Sequence, residues 1–362
     1  MHTVTVIVPA HNEEEGLPDT LESLARQTVP PDRILVVDDG STDRTGEVAA
    51  SYGVTVLRPP DRLGSKARAQ NHALPHCTTD LVLAVDADTV LAPDYLARVL
   101  PVFDDPDVAV AAGTVRTRHT RTVWERGRST EYLFGFHWQR PIQARANSPM
   151  VCSGCCSVFR RDALTAFGGF PERTIVEDMD FTWSQQIAGR RAVYVSDAVA
   201  LAADPEDLTY LRKQVWRWMA GFCQNVRLHL GQLILRKPLL ALWVLLALFE
   251  ILTAPLWLAT PFLIAANGGA SALPAFAWWA GADLLLTAPP LVYAARRRGL
   301  PLAGVLLNIP CVYATKAVNL VYAWKALVVE LVLVPLHLAR GLTVYEKGRA
   351  DTPRGGAEAV AV

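Results

Sequence analysis

Asp86 and Asp88 stand one residue apart at the end of a short apolar run, Leu-Val-Leu-Ala-Val at 81–85. Two carboxylates so spaced are hard oxygen ligands suited to Mg²⁺ or Mn²⁺, and an ion held there can grip a diphosphate. Paired acids recur at Asp38-Asp39-Gly40 and at Glu177-Asp178. The first of these follows another apolar run, where a carboxylate can accept a hydrogen bond from a base or a ribose. The second opens a predicted helix, where a fixed carboxylate near a metal–diphosphate site can take a proton from a hydroxyl. Lys66 follows the turn Leu63-Gly64-Ser65 and can reach a phosphate or a base. Taken singly, each signal also has an ordinary explanation. Asp pairs after strands are commonly solvated, acids in a first helical turn complement the macrodipole, and a lysine beside a turn is commonly a surface group.

The elements that must position these groups read as an α/β fold. Residues 81–85 are too few for a helix and read as a strand buried on both faces, as in a parallel sheet covered by helices. Ligands collect beyond the carboxyl ends of such strands, and a period of two turns Asp86 and Asp88 to the same side. Residues 4–8 read as the first strand, running through Pro9-Ala10-His11-Asn12-Glu13-Glu14 into a helix that ends near Gln27. A loop facing the free N–H groups of a helix start is a common place for nucleotide contacts, although Asn12 and Glu13 can equally serve as caps. Further strands are expected at 33–37, 54–57 and 108–117, with helices after Lys66 and over 94–103, 174–184 and 210–226. Residues 117–150 are rich in Arg, Trp, Phe and His and lack a clean period. They read as a helix and loop on the acceptor side, with aromatics that can stack on sugar rings or pack in a core.

The chain of 362 residues has room for roughly two domains. Lys plus Arg number 35 and Asp plus Glu 35, so no net field draws nucleic acid, and none is expected as a partner. Six cysteines include Cys152, Cys155 and Cys156, but a second Cys/His pair at ligand spacing is missing from the sequence, which favours buried reduced thiols over zinc. The opening apolar run is short and lacks a basic leader, so no secretory signal is expected and the N-terminal part is placed in the cytoplasm.

In chain order, Asp38-Asp39-Gly40, Asp86-x-Asp88, Glu177-Asp178 and Gln214-x-x-Arg217-Trp218 together resemble the inverting family 2 glycosyltransferases that make hyaluronan, chitin, cellulose or poly-N-acetylglucosamine. The resemblance covers roughly residues 3–225 and implies a GT-A, Rossmann-like catalytic domain that uses a nucleotide-activated sugar, with UDP the expected nucleotide. It implies that Pro9, Asn12, Glu13, Asp38, Asp39, Lys66, Asp86 and Asp88 contact the nucleotide sugar, with Asp88 also binding Mg²⁺ or Mn²⁺. It implies too that Asp178, beside Glu177, is the general base, and that Gln214, Arg217 and Trp218 hold the diphosphate and the acceptor sugar. The chemistry is consistent, since a cation and Arg217 would offset charge on a leaving diphosphate and Trp218 offers a flat face to a sugar ring. His11 stands where the family's Pro-x-x-Asn-Glu loop usually has an aromatic residue, and Val176 where Thr is frequent, which leaves the subfamily open.

The expected organisation is a cytoplasmic GT-A domain over 1–205, interfacial helices over 206–237, a transmembrane helical region over 238–340 and a basic tail without fixed structure over 341–362. Residues 238–266 and 272–295 are each long enough to span a bilayer, which takes about 20 residues. A third apolar stretch, 300–338, is broken by Asn308, Lys316, Asn319, Lys325 and Glu330 and reads as one span plus an interfacial helix or as two short spans. Basic residues at 236–237, 296–298 and in the tail fit the cytoplasmic side and the uncharged 267–271 the outside, so an even number of crossings is expected. Glu250 and Asp283 fall inside the first two spans, where an ionisable group marks a pathway or a partner unless the helix slides to an interface. The expected activity is extension of a polysaccharide from a nucleotide sugar at the membrane, with room for an export partner subunit. Two alternatives stay open, transfer of one sugar to a membrane lipid and non-catalytic binding of nucleotide sugars. Acids at every motif position argue against the second.

Overall fold

A computed structural model describes residues 2–268 and 272–342. Short aliphatic runs form β1 (Val4–Ala10), β2 (Arg33–Asp38), β3 (Thr55–Leu57), β4 (Leu81–Val85), β5 (Val90–Leu91), β6 (Val108–Thr117), β7 (Cys156–Arg160) and β8 (Arg191–Ala202). They make one sheet in the order β3-β2-β1-β4-β7-β6-β8-β5. The first four strands in that order are parallel, whereas β7 runs antiparallel to both β4 and β6, and β8 is again parallel to β6. The sheet is therefore mixed and not all-parallel as residues 81–85 suggest. The segment after β6 stays helical and brings the chain back to the edge it left, so β7 must run the other way. As a result the carboxyl ends of β1, β2, β4, β6 and β8 and the amino end of β7 share one edge.

Helices cover both faces: α1 (Leu17–Ala25), α2 (Thr45–Ser51), α3 (Lys66–Ala73), α4 (Tyr95–Val99), α5 (Val123–Phe134), α6 (Arg140–Arg145), α7 (Arg161–Phe167) and α8 (Glu177–Ile187). The strand period of two separates the layers. Val6 and Val8 pack with Leu17 and Leu21 of α1, while the intervening Ile7 packs with Ala69 and Ala73 of α3. The helix expected over 94–103 is shorter, because Pro101 follows α4 in a 3₁₀ turn over Leu100–Asp104. Residues 117–150 contain α5, a π-helical turn over Gly135–Gln139, and α6. A capping box starts α5, with Thr122 Oγ1 accepting from Glu125 N at 3.2 Å and Glu125 Oε2 accepting from Thr122 N at 2.8 Å.

The expected interfacial helices are a single one, α9 (Leu208–Arg236), begun where the Asp207 carboxylate accepts from Tyr210 N at 2.7 Å. Two helices, α10 (Pro238–Gly268) and α11 (Ala272–Arg297), are long and apolar enough to cross a membrane. Large apolar side chains such as Phe249, Leu256 and Phe262 on α10 and Leu285 on α11 face outward, exposed. The third apolar stretch divides into α12 (Leu302–Leu307), α13 (Ile309–Val328) and a π-helical turn over Val329–Leu333. Helix α13 packs against α5 and α9. Of the expected tail, residues 343–362 lie outside the described residues, as do 269–271 of the loop after α10.

Helix α9 meets the loop ahead of α8 at Gly221, where a Cβ would drive into the Val176 side chain. Val176 is β-branched and has little rotamer freedom to yield. Gly221→Ala is therefore expected to destabilise the fold by about 1–3 kcal/mol and to lower the thermal midpoint in detergent; an unchanged midpoint would contradict this packing.

Candidate active site

Each strand end at the shared edge delivers its residues by local hydrogen bonding. After β1, Asn12 adopts a left-handed conformation (φ 55°) and its Oδ1 accepts from Thr42 N at 2.9 Å. Glu13, which is buried, donates its backbone N–H to Thr45 Oγ1 at 2.7 Å. After β2, Asp38 turns inward to accept from Ser41 N at 3.0 Å, with the Arg58 guanidinium 3.6 Å away. Asp39 instead accepts from Leu63 N at 2.5 Å and Gly64 N at 3.0 Å, which fixes the turn before α3. Ser65 caps α3, and Lys66 is its first residue.

Strand β4 ends at Val85, and a turn closed by Thr89 N donating to Asp86 O at 3.0 Å carries the two aspartates. The turn therefore sets their directions, in place of the expected strand alternation. Asp86 Oδ1 lies 2.5 Å from Lys66 Nζ, and Asp88 is nearly buried beside Gly16. Because β7 is antiparallel, Cys156 pairs with Val85 and Gly154 arrives at the same edge. Gly154 N donates to Asp178 Oδ2 at 2.7 Å, while Asp178 Oδ1 accepts from Met179 N at 2.8 Å. Glu177 is buried, with Oε1 3.6 Å from Lys66 Nζ, whereas Asp178 is half-buried. On α9, Gln214, Arg217 and Trp218 are three and four residues apart and so share a helix face.

One cavity of about 1590 Å³ gathers Pro9, Glu13, Asp39, Lys66, Asp86, Asp88, Glu177, Asp178, Gln214, Arg217 and Trp218 along its wall; Asn12 and Asp38 do not line it. Those two satisfy backbone groups of neighbouring turns. Burial alone would push the Lys66 ammonium down, but Asp86, Glu177 and Asp178 reverse this and hold its pKa above the ordinary lysine value. Burial pushes the Glu177 carboxyl up to about 7, against the pull of Lys66 and with the help of Asp178.

Asp204, absent from the expected set, lines the same cavity just beyond β8. Its Oδ1 accepts from Tyr132 OH at 2.9 Å, and its buried Oδ2 has no hydrogen-bond partner among the described residues. Burial pushes its carboxyl up to about 6, with Arg128 and Tyr132 lowering it and Asp88 raising it. The apolar run at 198–203 ending in Asp204 repeats the pattern that singles out Asp86, so the sequence carried that signal.

Among the described residues, no group of three or more His, Cys, Asp or Glu side chains forms a complete ion site. Mg²⁺ is usually held by one or two carboxylates plus substrate phosphates. Asp88, with the unpartnered Asp204 oxygen in the same cavity, fits a cation whose remaining ligands come from a diphosphate.

The mixed sheet thus gathers acids, a lysine and an arginine into one cavity at its carboxyl edge. Residues 5–168 match the model of glycosyl transferase family 2, so the chain carries a glycosyl transferase family 2 domain. An N-acetylglucosaminyltransferase of Rhizobium meliloti (strain 1021) is 33% identical over 257 residues, 66% of this chain and 60% of that protein. A hyaluronan synthase of Streptococcus pyogenes is 31% identical over 271 residues, 69% of this chain and 63% of that one. The chain thus spans about three fifths of the length of these relatives. The mannosyltransferase PcManGT from Pyrobaculum calidifontis, solved in complex with GDP-Man and Mn²⁺, superposes with a TM-score of 0.64 at 26% identity, over 88% of this chain and 87% of that one.

Two outcomes follow from the geometry. A Cβ at position 154 would lie 3.1 Å from Lys66 Nζ and 3.2 Å from both Asp178 Oδ2 and Glu177 Oε1. Gly154→Ala should therefore leave the fold intact but cut turnover by about tenfold or more, as misplacing reacting groups does, and steady-state kinetics beside a melting curve checks both. Asp204 keeps its proton to about pH 6 when folded but loses it near 3.8 when unfolded, so between those values the folded state binds more protons and stability falls as pH rises. Asp204→Asn should remove this decline, on the order of 3 kcal/mol, and thermal midpoints of both proteins across that window read it directly.

Proposed function

We propose that this chain is a membrane-bound inverting glycosyltransferase that passes a sugar from a UDP-sugar to a growing glycan. The observation that supports it best is the shared cavity, into which Asp39 and Lys66, the acids Asp88 and Asp178, and Arg217 and Trp218 all open. N-acetylglucosamine is the first sugar to test, because relatives named for its transfer match across the domain.

In this reading Asp39 and Lys66 flank the nucleotide and Asp88 would hold the cation. Bound Mg²⁺ or Mn²⁺ would offset the negative charge of the diphosphate. Asp178 is the base: it is half-buried, so a hydroxyl can reach it, and its two hydrogen bonds hold the carboxylate in place. The acceptor oxygen forms its bond to the anomeric carbon from the face opposite the diphosphate, the bond to the diphosphate breaks, and the hydroxyl proton passes to Asp178. Glu177, buried and tied to Lys66, belongs to the frame of the site. Arg217 opposes the leaving diphosphate, and Trp218 gives the acceptor sugar an apolar face.

Helices α10 and α11 are proposed as membrane spans that leave the catalytic domain in the cytoplasm, with Arg296 to Arg298 at the inner end of α11. The cavity continues between α10, α11 and α13 past Trp257, Phe276, Trp279 and Lys316, which brings the acceptor end to membrane depth. A second reading, transfer of a single sugar to a membrane lipid, draws support from the far end of the cavity, which runs between the two apolar helices α10 and α11. Product size separates the two: a ladder of lengths marks a polymerase, one lipid-soluble product the single transfer.

Protein purified in detergent, incubated with labelled nucleotide sugars and Mg²⁺ or Mn²⁺, should incorporate label, and chelation should stop it. Asp178→Asn should reduce transfer by about a thousandfold or more while nucleotide affinity stays near wild type. Incorporation from none of the common donors would sink the proposal, and equal loss of binding and transfer in Asp178→Asn would remove Asp178 as base. Nucleotide-sugar affinity without turnover would mark a binding protein instead.

A further inference from the structure

Arg128 lies on α5 behind the cavity wall, 4% exposed and not part of the lining. Burying a guanidinium is costly unless its donors are matched, so what it touches is informative. Its Nη1 donates to Glu131 Oε2 at 2.7 Å, its Nη2 donates to Gln214 Oε1 at 3.3 Å, and its carbon sits 4.9 Å from the centre of the Trp218 ring. Glu131 is braced in turn from α13, where Thr315 Oγ1 donates to Oε1 at 2.5 Å and Asn319 Nδ2 at 3.0 Å. The two helices come close enough for this because residue 127 is glycine; a Cβ there would meet the Cys311 carbonyl and Thr315.

We infer that Arg128 is a positioning residue that fixes Gln214 and Trp218 of α9 for the acceptor sugar and the leaving diphosphate, and is itself held by Glu131 and α13. The inference rests on the glycosyltransferase reading above. It has a chemical consequence for Gln214. With Oε1 accepting from Arg128 Nη2, the amide keeps its N–H donors for the cavity, where they suit phosphate or hydroxyl oxygens. A cation stacked on Trp218 likewise orients the ring that meets the sugar.

Arg128→Lys tests this, because lysine keeps a charge for Glu131 but has no planar fork to reach Gln214 and Trp218 together. The expected result is a KM for acceptor raised and a kcat lowered by about five- to tenfold each, with nucleotide affinity and thermal midpoint near wild type. In a Gln214→Ala background the same change should add about twofold or less, since coupled residues are not additive. If Arg128→Lys does not fold, Arg128→Gln combined with Glu131→Gln supplies a neutral pair and should show the same split. Wild-type kinetics in these variants, or full additivity with Gln214→Ala, would overturn the role of Arg128 alone. Absence of transfer by the wild type would instead overturn the functional reading, and this inference with it.

Discussion

The Lys66 ammonium lies 2.5 Å from Asp86 and 3.6 Å from Glu177, and the gathering of acids at the sheet edge depends on it. Carboxylates brought together in a poorly solvated cleft repel one another and resist ionisation. A single buried cation reduces that repulsion at the centre of the group. Its own position is inherited from a different strand: Asp39, beyond β2, holds the Leu63 and Gly64 amides, and the turn they form hands the chain to Ser65 and α3. One loop thus sets a cation that in turn sets the acids of β4 and α8. With Asp88, Asp178 and Asp204 also present, negative charge exceeds positive there. A diphosphate is better accommodated in such a place together with a divalent cation than without one.

The direction of β7 is the second condition. An antiparallel strand between β4 and β6 begins at the edge where its neighbours end, which puts the Gly154 amide within 2.7 Å of Asp178. Helix α8 is fastened independently of the site. Asp180, fully buried one half-turn beyond Asp178, accepts from Arg173 at 2.7 and 2.8 Å and pairs with His229 of α9 at 2.8 Å. A buried carboxylate satisfied on all sides makes a rigid joint. Through it, and through the close approach of Gly221 to Val176, the first turn of α8 is registered against α9.

Much of this was legible because the signals are local. Apolar runs ending in acids marked β2 and β4, and paired acids in a first helical turn marked α8. What stayed hidden depends on partners distant in sequence. Nothing near Cys156 says that its strand runs backward, since direction is fixed by where α5 and α6 return the chain. Helix α5 shows no clean apolar period because its buried face carries Arg128 and Glu131, polar groups that become core material only once Gln214, Thr315 and Asn319 surround them. Asn12 and Asp38 carry a motif's residue types yet turn toward backbone amides. A residue type offers a chemistry, and the nearest unsatisfied donor decides whether it is used there. The stretch 300–338 looked like membrane because its residues are apolar; in α13 one side, with Ile309, Val312, Ala323 and Ala326, is buried where the helix meets α5 and α9, while Val321 and Val328 stay exposed.

Helix α13 therefore belongs to two structures at once. Near Thr315 and Asn319 it braces α5 behind the cavity, and near Tyr313 it reaches Asp283 of α11. Asp283 also accepts from Trp257 Nε1 of α10 at 3.2 Å, so its carboxylate ties three helices around the inner end of the cavity. Of the two uses expected for an acid inside an apolar helix, a pathway or a partner, the hydrogen bonds provide the partner. Apolar contacts alone would favour helices that close on each other until no space remained. Directional bonds to a fixed carboxylate hold them at a set spacing, and the space so kept is continuous with the cavity that holds Asp178 and Trp218. The same side-chain ties that satisfy a half-buried carboxylate thus keep the inner end of the site open.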